Sequence, residues 1–179
     1  MRRSTLLLAL PFLAFAVPAA AKLVLPKPTP PAEVVPVGDR VPMEVMTVVP
    51  SDSGPVAVLR ERAGSRMMPV WIGDAEARAI RLALSGETFP RPLTHDLLGG
   101  VITALGGTLV EVEVTDLVDN TFIGTAVVRT ERGEVRRIDA RPSDLMALAL
   151  RTDAPIYVVK SVLEEAKLDP KTVETAGTE

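Results

Sequence analysis

The chain has 179 residues, 47% hydrophobic and 3% aromatic, with a single histidine, no cysteine and a formal charge of −3, a length that suits one domain plus extensions. Without cysteine there can be no disulfides, thiolate nucleophiles, Cys-held zinc sites or lipidated N-terminal Cys. With His95 alone a His-rich metal cluster is also excluded, so any metal must be held mainly by oxygen, as Mg2+, Mn2+ or Ca2+ are.

The N-terminus carries Arg2 and Arg3, an apolar run from Leu6 to Val17 broken only by Pro11, and the small residues Ala19, Ala20 and Ala21. This pattern predicts a signal peptide over 1–21, cleaved after Ala21. The run is short for a membrane span of roughly 20 residues and contains a proline, so an uncleaved anchor is the alternative and no stable insertion is expected after cleavage. Losing Arg2 and Arg3 takes the formal charge from −3 to −5. The mature chain is therefore acidic, and nucleic acid would need a local basic patch. Residues 22–42 hold six prolines among Val, Lys and Thr, a composition that predicts an extended linker.

Folded structure is expected over residues 43–168. Glu44 to Val49 alternates as a strand, Pro50 to Pro55 turns, Val56 to Arg60 is a second strand, and Gly64-Ser65 turns into a third at Met68 to Ile72. A helix follows from Asp74 to Leu84 and stops near Gly86. Pro90 and Pro92 lead into a second helix from Thr94 or His95 to Leu105, ended by Gly106-Gly107, with Thr94 as a natural N-cap. Strands are expected at Leu109 to Thr115, Phe122 to Thr130 and Val135 to Ile138, with turns at Asp119-Asn120 and Arg132-Gly133. Asp139, Ala140 and Arg141 then form a tight polar connection into a helix whose first turn holds Pro142, Ser143 and Asp144. Leu145 to Leu150 is apolar nearly all round, which predicts burial on more than one side. A strand at Ile156 to Val159, a short helix from Ser161 to Ala166 and a polar tail over 169–179 complete the chain.

Strands grouped in threes before each helix predict an α+β domain, a largely antiparallel sheet with helices packed on one side. Laying Ile72–Leu84 over Ile138–Leu150 matches Ile72 with Ile138, Leu82 with Leu148, Ala83 with Ala149 and Leu84 with Leu150. That points to an internal duplication of a β-β-β-α unit; the alternative is that apolar helices following strands resemble one another.

The richest stretch is Ile138–Leu150, where Asp139, Arg141 and Asp144 put two carboxylates and a guanidinium beside free helix N–H groups. It reads as a site or, equally, as a capped helix with an Asp–Arg pair. His95 is the side chain that titrates near neutrality, so it is the candidate base or proton shuttle. Asp74 with Arg78 forms an ordinary i, i+4 pair. Glu76 shares the face of Ile80 and is a stronger candidate. Asp116 and Asp119 belong to a hairpin, where Asp is favoured. The sequence has no Walker loop, dinucleotide fingerprint, HExxH or GxSxG.

The segments IDARPSDLMALALRTDAPIYV, MPVWIGDAEARAIRLAL and PRPLTHDLL together resemble the bifunctional nuclease family, over about Met43 to Ala166. That resemblance implies cleavage of DNA, RNA or both. In-line attack on a phosphodiester requires stabilisation of charge on the phosphate, so the expected constellation is Asp139, Asp144 and Glu76 holding Mg2+ or Mn2+, Arg141 or Arg91 on the phosphate, and His95 as base. The family pattern shows an aromatic pair after Thr in the second hairpin, whereas here Phe122 is followed by Ile123. The expected protein is thus an exported, periplasmic or secreted nuclease acting on DNA or RNA. The alternative is a non-catalytic binding or assembly module that dimerises through Met43, Met46, Met67, Met68 and an exposed sheet face.

Overall fold

The computed structural model describes residues 39–166. The expected signal peptide, most of the 22–42 linker and the polar tail lie outside the described residues. The elements run β1 (Arg40–Val49), β2 (Val56–Glu61), β3 (Met67–Trp71), α1 (Asp74–Ser85), α2 (Thr94–Ala104), β4 (Thr108–Val118), β5 (Thr121–Arg129), β6 (Val135–Ala140), α3 (Pro142–Thr152), β7 (Ile156–Val159) and α4 (Lys160–Ala166). One sheet orders the strands β3-β2-β1-β7-β4-β5-β6. Every pairing is antiparallel except that of β4 with β7. The domain is therefore α+β with a mostly antiparallel sheet.

Two three-strand meanders, each leading to a helix, flank β7. The repeated element order matches the expected unit, but a shared order is a property of the fold and not by itself a duplicated sequence. β7 seals the two halves together, antiparallel to β1 from Arg40 opposite Val159 to Met43 opposite Ile156, and parallel to β4.

Three boundaries differ from expectation. β1 begins at Arg40, inside the stretch read as linker. Val41 and Met43 are fully buried and face inward, and the Pro42 carbonyl accepts the Arg62 N–H at 3.0 Å, so tertiary contacts extend the strand through a proline. β6 continues to Ala140, with Asp139 paired to Thr125 and Ala140 to Gly124. Asp139 and Ala140 are thus strand and not connection. α2 starts after an N-cap at Leu93, one residue before Thr94; Asp96 accepts the Leu93 N–H at 2.8 Å and removes the need for a threonine cap. The turn at Asp119 and Asn120 holds, both residues having positive φ, 46° and 62°, as a tight hairpin of this hand demands.

α3 is the central helix. Leu145, Met146, Ala147, Leu148 and Ala149 are all buried, confirming burial on several sides. They join Met43, Leu59, Met68, Val112 and Val158 from the strands, Ile80 from α1 and Leu163 from α4 in one core. Each of the Val, Leu, Ile and Met side chains among them contributes about 1.5–3 kcal/mol through burial. Met43 and Met68 sit in this core at 0% exposure, so they are packing residues and not the dimer surface expected of them. Gly124 on β5 brings the start of α3 close: a Cβ there would stand 2.5 Å from Leu145 Cδ1 and 2.8 Å from the Ala140 carbonyl oxygen.

The opposite face of β4 is polar. Glu113, 1% exposed, is held by Arg40 and Arg137. Arg40 also pairs with Glu111 at 2.7 Å and lies over the Tyr157 ring at 4.8 Å. Glu113 stands opposite Thr125, which stands opposite Asp139, so strand alternation puts Asp139 on this face.

Candidate functional site

Four of the five expected site residues meet where the N-termini of α1, α2 and α3 converge. At α3, Arg141 is the N-cap with extended backbone and Pro142 is the first helical residue, the position where a missing N–H is harmless. The Arg141 carbonyl accepts the Asp144 and Leu145 N–H groups at 3.0 and 3.1 Å. This turn folds the Arg141 side chain back, so that its Nε donates to Asp144 Oδ2 at 2.8 Å and its Nη2 to Glu76 Oε1 at 2.6 Å. His95 Nε2 lies 3.2 Å from Asp144 Oδ1. The result is a continuous chain, Glu76–Arg141–Asp144–His95. Its hydrogen bonds, that to Asp144 foremost and then that to Glu76, raise the Arg141 pKa.

Exposure peaks at Arg141 and falls to either side. The Arg141 side chain is 67% exposed, Asp144 31%, Glu76 15% and His95 11%. Glu76 reaches its place because α1 opens on a glycine: a Cβ at Gly73 would stand 2.3 Å from Glu76 Oε2. Asp96 Oδ1 pairs with Arg151 Nε at 2.7 Å, and Arg151 also donates to the carbonyls of Ala147 and Ala79. That guanidinium ties α1, α2 and α3 together, and so holds His95 against Asp144.

Asp139 does not join them, being on the strand face that carries Glu113. Arg91 is also elsewhere, lining a separate hollow with Phe89 and Leu93. Both oxygens of Asp144 are engaged, one by His95 and one by Arg141, while Glu76 is engaged by Arg141. Among the described residues no group of three His, Asp or Glu side chains is placed to hold a metal ion. Glu76, Asp144 and Asp139 therefore do not fit a shared Mg2+ or Mn2+ site in this arrangement.

The chain of polar residues divides two depressions. On the Arg141 side is a groove of about 740 Å³, bounded by the end of β3, the β4–β5 hairpin, the first turn of α3 and the end of α4, a size in the range of small-molecule sites. Trp71, Phe122, Asn120 and Ser143 line it. On the other side His95, Gly99, Thr103 and Thr152 line a hollow of about 470 Å³. Trp71, Asn120 and Ser143 are groove residues that motif reasoning missed. The one available signal was Trp71 itself, the only tryptophan of an aromatic-poor chain and 56% exposed.

The model of the bifunctional nuclease domain matches residues 57–171. Two Mycobacterium tuberculosis proteins, named "Uncharacterized protein MT1877" in strain CDC 1551 / Oshkosh and "Uncharacterized protein Rv1829" in strain H37Rv, are each 46% identical over 114 residues, spanning 64% of this chain and 67% of the relative.

Proposed function

The chain belongs to the bifunctional nuclease domain family, and on that premise we propose that it hydrolyses phosphodiester bonds in DNA, RNA or both. The observation that supports this most is the hydrogen-bonded chain from the exposed Arg141 through Asp144 to His95. Arg141 holds the phosphate, since a guanidinium matches two phosphate oxygens at once. Asp144 accepts from His95 Nε2, which fixes the tautomer and leaves the lone pair on Nδ1. The scissile phosphate then sits over the Arg141–Asp144 crest, between the groove and the hollow that His95 lines, and His95 takes a proton from the attacking water as the new P–O bond forms. The imidazolium stands against the Asp144 carboxylate, and the departing sugar oxygen recovers the proton as its P–O bond breaks. Glu76 positions Arg141. With the carboxylates placed as they are, no step runs through a divalent ion.

Cleavage of single-stranded DNA and RNA by the purified mature chain, with Mg2+, with Mn2+ and with EDTA, is the test. Asp144→Asn and His95→Ala should each lose cleavage while remaining folded. Equal cleavage by both variants would remove these residues from the reaction, and loss of wild-type activity in EDTA alone would restore the metal. His95→Gln separates two roles: it keeps a donor for Asp144 but is no base, so retained activity would make His95 a positioning residue.

Export to the periplasm or beyond is part of the proposal and rests on Arg2, Arg3, the apolar run and Ala19 to Ala21; the N-terminal mass of the recovered protein tests it. Among the described residues no helix is long and apolar enough to cross a membrane. A second reading, a non-catalytic assembly module that pairs with a second copy, is favoured by one observation. α2 exposes Leu97, Leu98 and Val101, and Leu105 beyond its end is 81% exposed, a stripe at helical spacing. Sedimentation equilibrium of the wild type against Leu97→Asp decides it.

A further inference from the structure

We propose that the groove between Trp71 and Phe122 seats an unpaired nucleobase, so that the substrate is single-stranded nucleic acid with a phosphate flanking that base held at Arg141 and Ser143. This deepens the nuclease reading, on which it rests for the identity of the polymer. Four observations converge on it.

The two rings line the same groove, and Trp71 contributes little to the core, being 56% exposed at the end of β3. A large exposed ring beside a second ring gives a base two apolar surfaces to stack on, a contact that every base can make. A base held in a duplex has both faces already covered and cannot enter. Asn120, at the tip of the β4–β5 hairpin, also lines the groove; its amide carries both donors and an acceptor for a base edge.

Ser143 also lines the groove, and its hydroxyl can donate to a phosphate oxygen. Ser143 stands in the first turn of α3 beside Arg141, where the helix N-terminus favours an anion and the guanidinium adds a full charge. The remaining charged residue of the groove is Glu165, near the end of α4. Its carboxylate repels phosphate, which makes the Arg141 end the one where the backbone runs.

Trp71 is the only tryptophan, so intrinsic emission reports this groove alone. The full mature chain is titrated with an oligothymidylate of about 12 nucleotides, the same oligonucleotide in a duplex, and an abasic strand of equal length, a site of ordinary size for such binders. Saturable quenching of Trp71 is expected with the first and not with the other two. Phe122→Ala should weaken binding by about 5- to 150-fold, since stacking is worth about 1–3 kcal/mol per base and 1.4 kcal/mol is tenfold; Phe122→Tyr should restore it. Ser143→Ala should weaken binding to a smaller degree.

The proposal is overturned if Trp71 emission stays constant while the anisotropy of labelled oligothymidylate rises. Equal affinity for the abasic strand or the duplex overturns it too, as does the absence of any binding. The two readings fail separately. Quenching without cleavage in any condition retires the hydrolase and keeps the base site. Cleavage by Phe122→Ala at the wild-type rate, with duplex cut as fast as single strand, retires the base site and keeps the hydrolase.

Discussion

Gly124→Ala is the substitution that best tests how the fold carries the site. The new Cβ would stand 2.5 Å from Leu145 Cδ1, 2.8 Å from the Ala140 carbonyl oxygen and 3.3 Å from the Glu113 carbonyl oxygen. The Leu145 methyl is the end of a flexible side chain and can turn aside, at the price of an off-rotamer core residue. The Ala140 oxygen cannot, because it belongs to β6, one residue before the Arg141 cap. Relief requires β6 to move by roughly half an ångström relative to β5, and overpacking of this kind costs about 1–3 kcal/mol. For a domain of this size each kcal/mol lowers the melting temperature by about 3–5 °C, so a fall of about 3–15 °C is expected by circular dichroism. Since Ala140 leads directly into Arg141 and Asp144, cleavage should fall even well below the melting temperature, where the variant is folded. Gly100→Ala is the control: this glycine lies within α2 and has no atom within 4 Å of a new Cβ. It should stabilise the protein by about 0.5–1 kcal/mol. A melting temperature for Gly124→Ala equal to that of the wild type, with full activity, would refute the claim that the close approach of β5 to α3 positions the site.

Other outcomes follow from the same contacts. Glu113→Ala leaves Arg40 and Arg137 buried without their carboxylate and should destabilise by about 3–5 kcal/mol, read from urea unfolding midpoints. Arg141→Lys keeps the charge but loses the two-pronged hydrogen bonding; cleavage should fall sharply while stability changes by less than about 1 kcal/mol, because the Arg141 pairs are largely exposed. The hydrogen bond from Arg66 holds the Glu61 carboxyl below its ordinary value of 4.5 in the folded state. A carboxyl lowered by folding stabilises above its unfolded pKa, and that contribution is lost as pH falls through the folded value. Arg66→Ala should therefore reduce the difference in stability between about pH 6 and about pH 3; an unchanged difference would show that the pair does not contribute.

Much of this protein was determined locally and could be read from residue order. The periodicities of the strands, the glycine end of α1, the Asp119-Asn120 turn and Pro142 at the start of α3 are all settled within a few residues by φ/ψ limits and hydrogen-bond supply. The apolar run from Leu145 to Leu150 likewise announced a helix buried on several sides. What no local rule could decide was pairing at a distance. Whether β7 would enter between β1 and β4 depended on the whole sheet closing over α3, and this also extended β1 back to Arg40. The same closure set Asp139 apart from Asp144, five residues away. An extra pair of strand residues in β6 turned Asp139 to the Glu113 face, while the turn into α3 brought Asp144 beneath Arg141. Glu76 and His95, 65 and 46 residues before Arg141, reach that guanidinium and its carboxylate only because α1 and α2 both pack against α3. Trp71 at the end of β3 and Phe122 on β5 come to line one groove only through the folding of the sheet with α3 and α4. Residue types were written in the sequence, but which of them share a site was fixed by the packing of helices that the chain order keeps far apart.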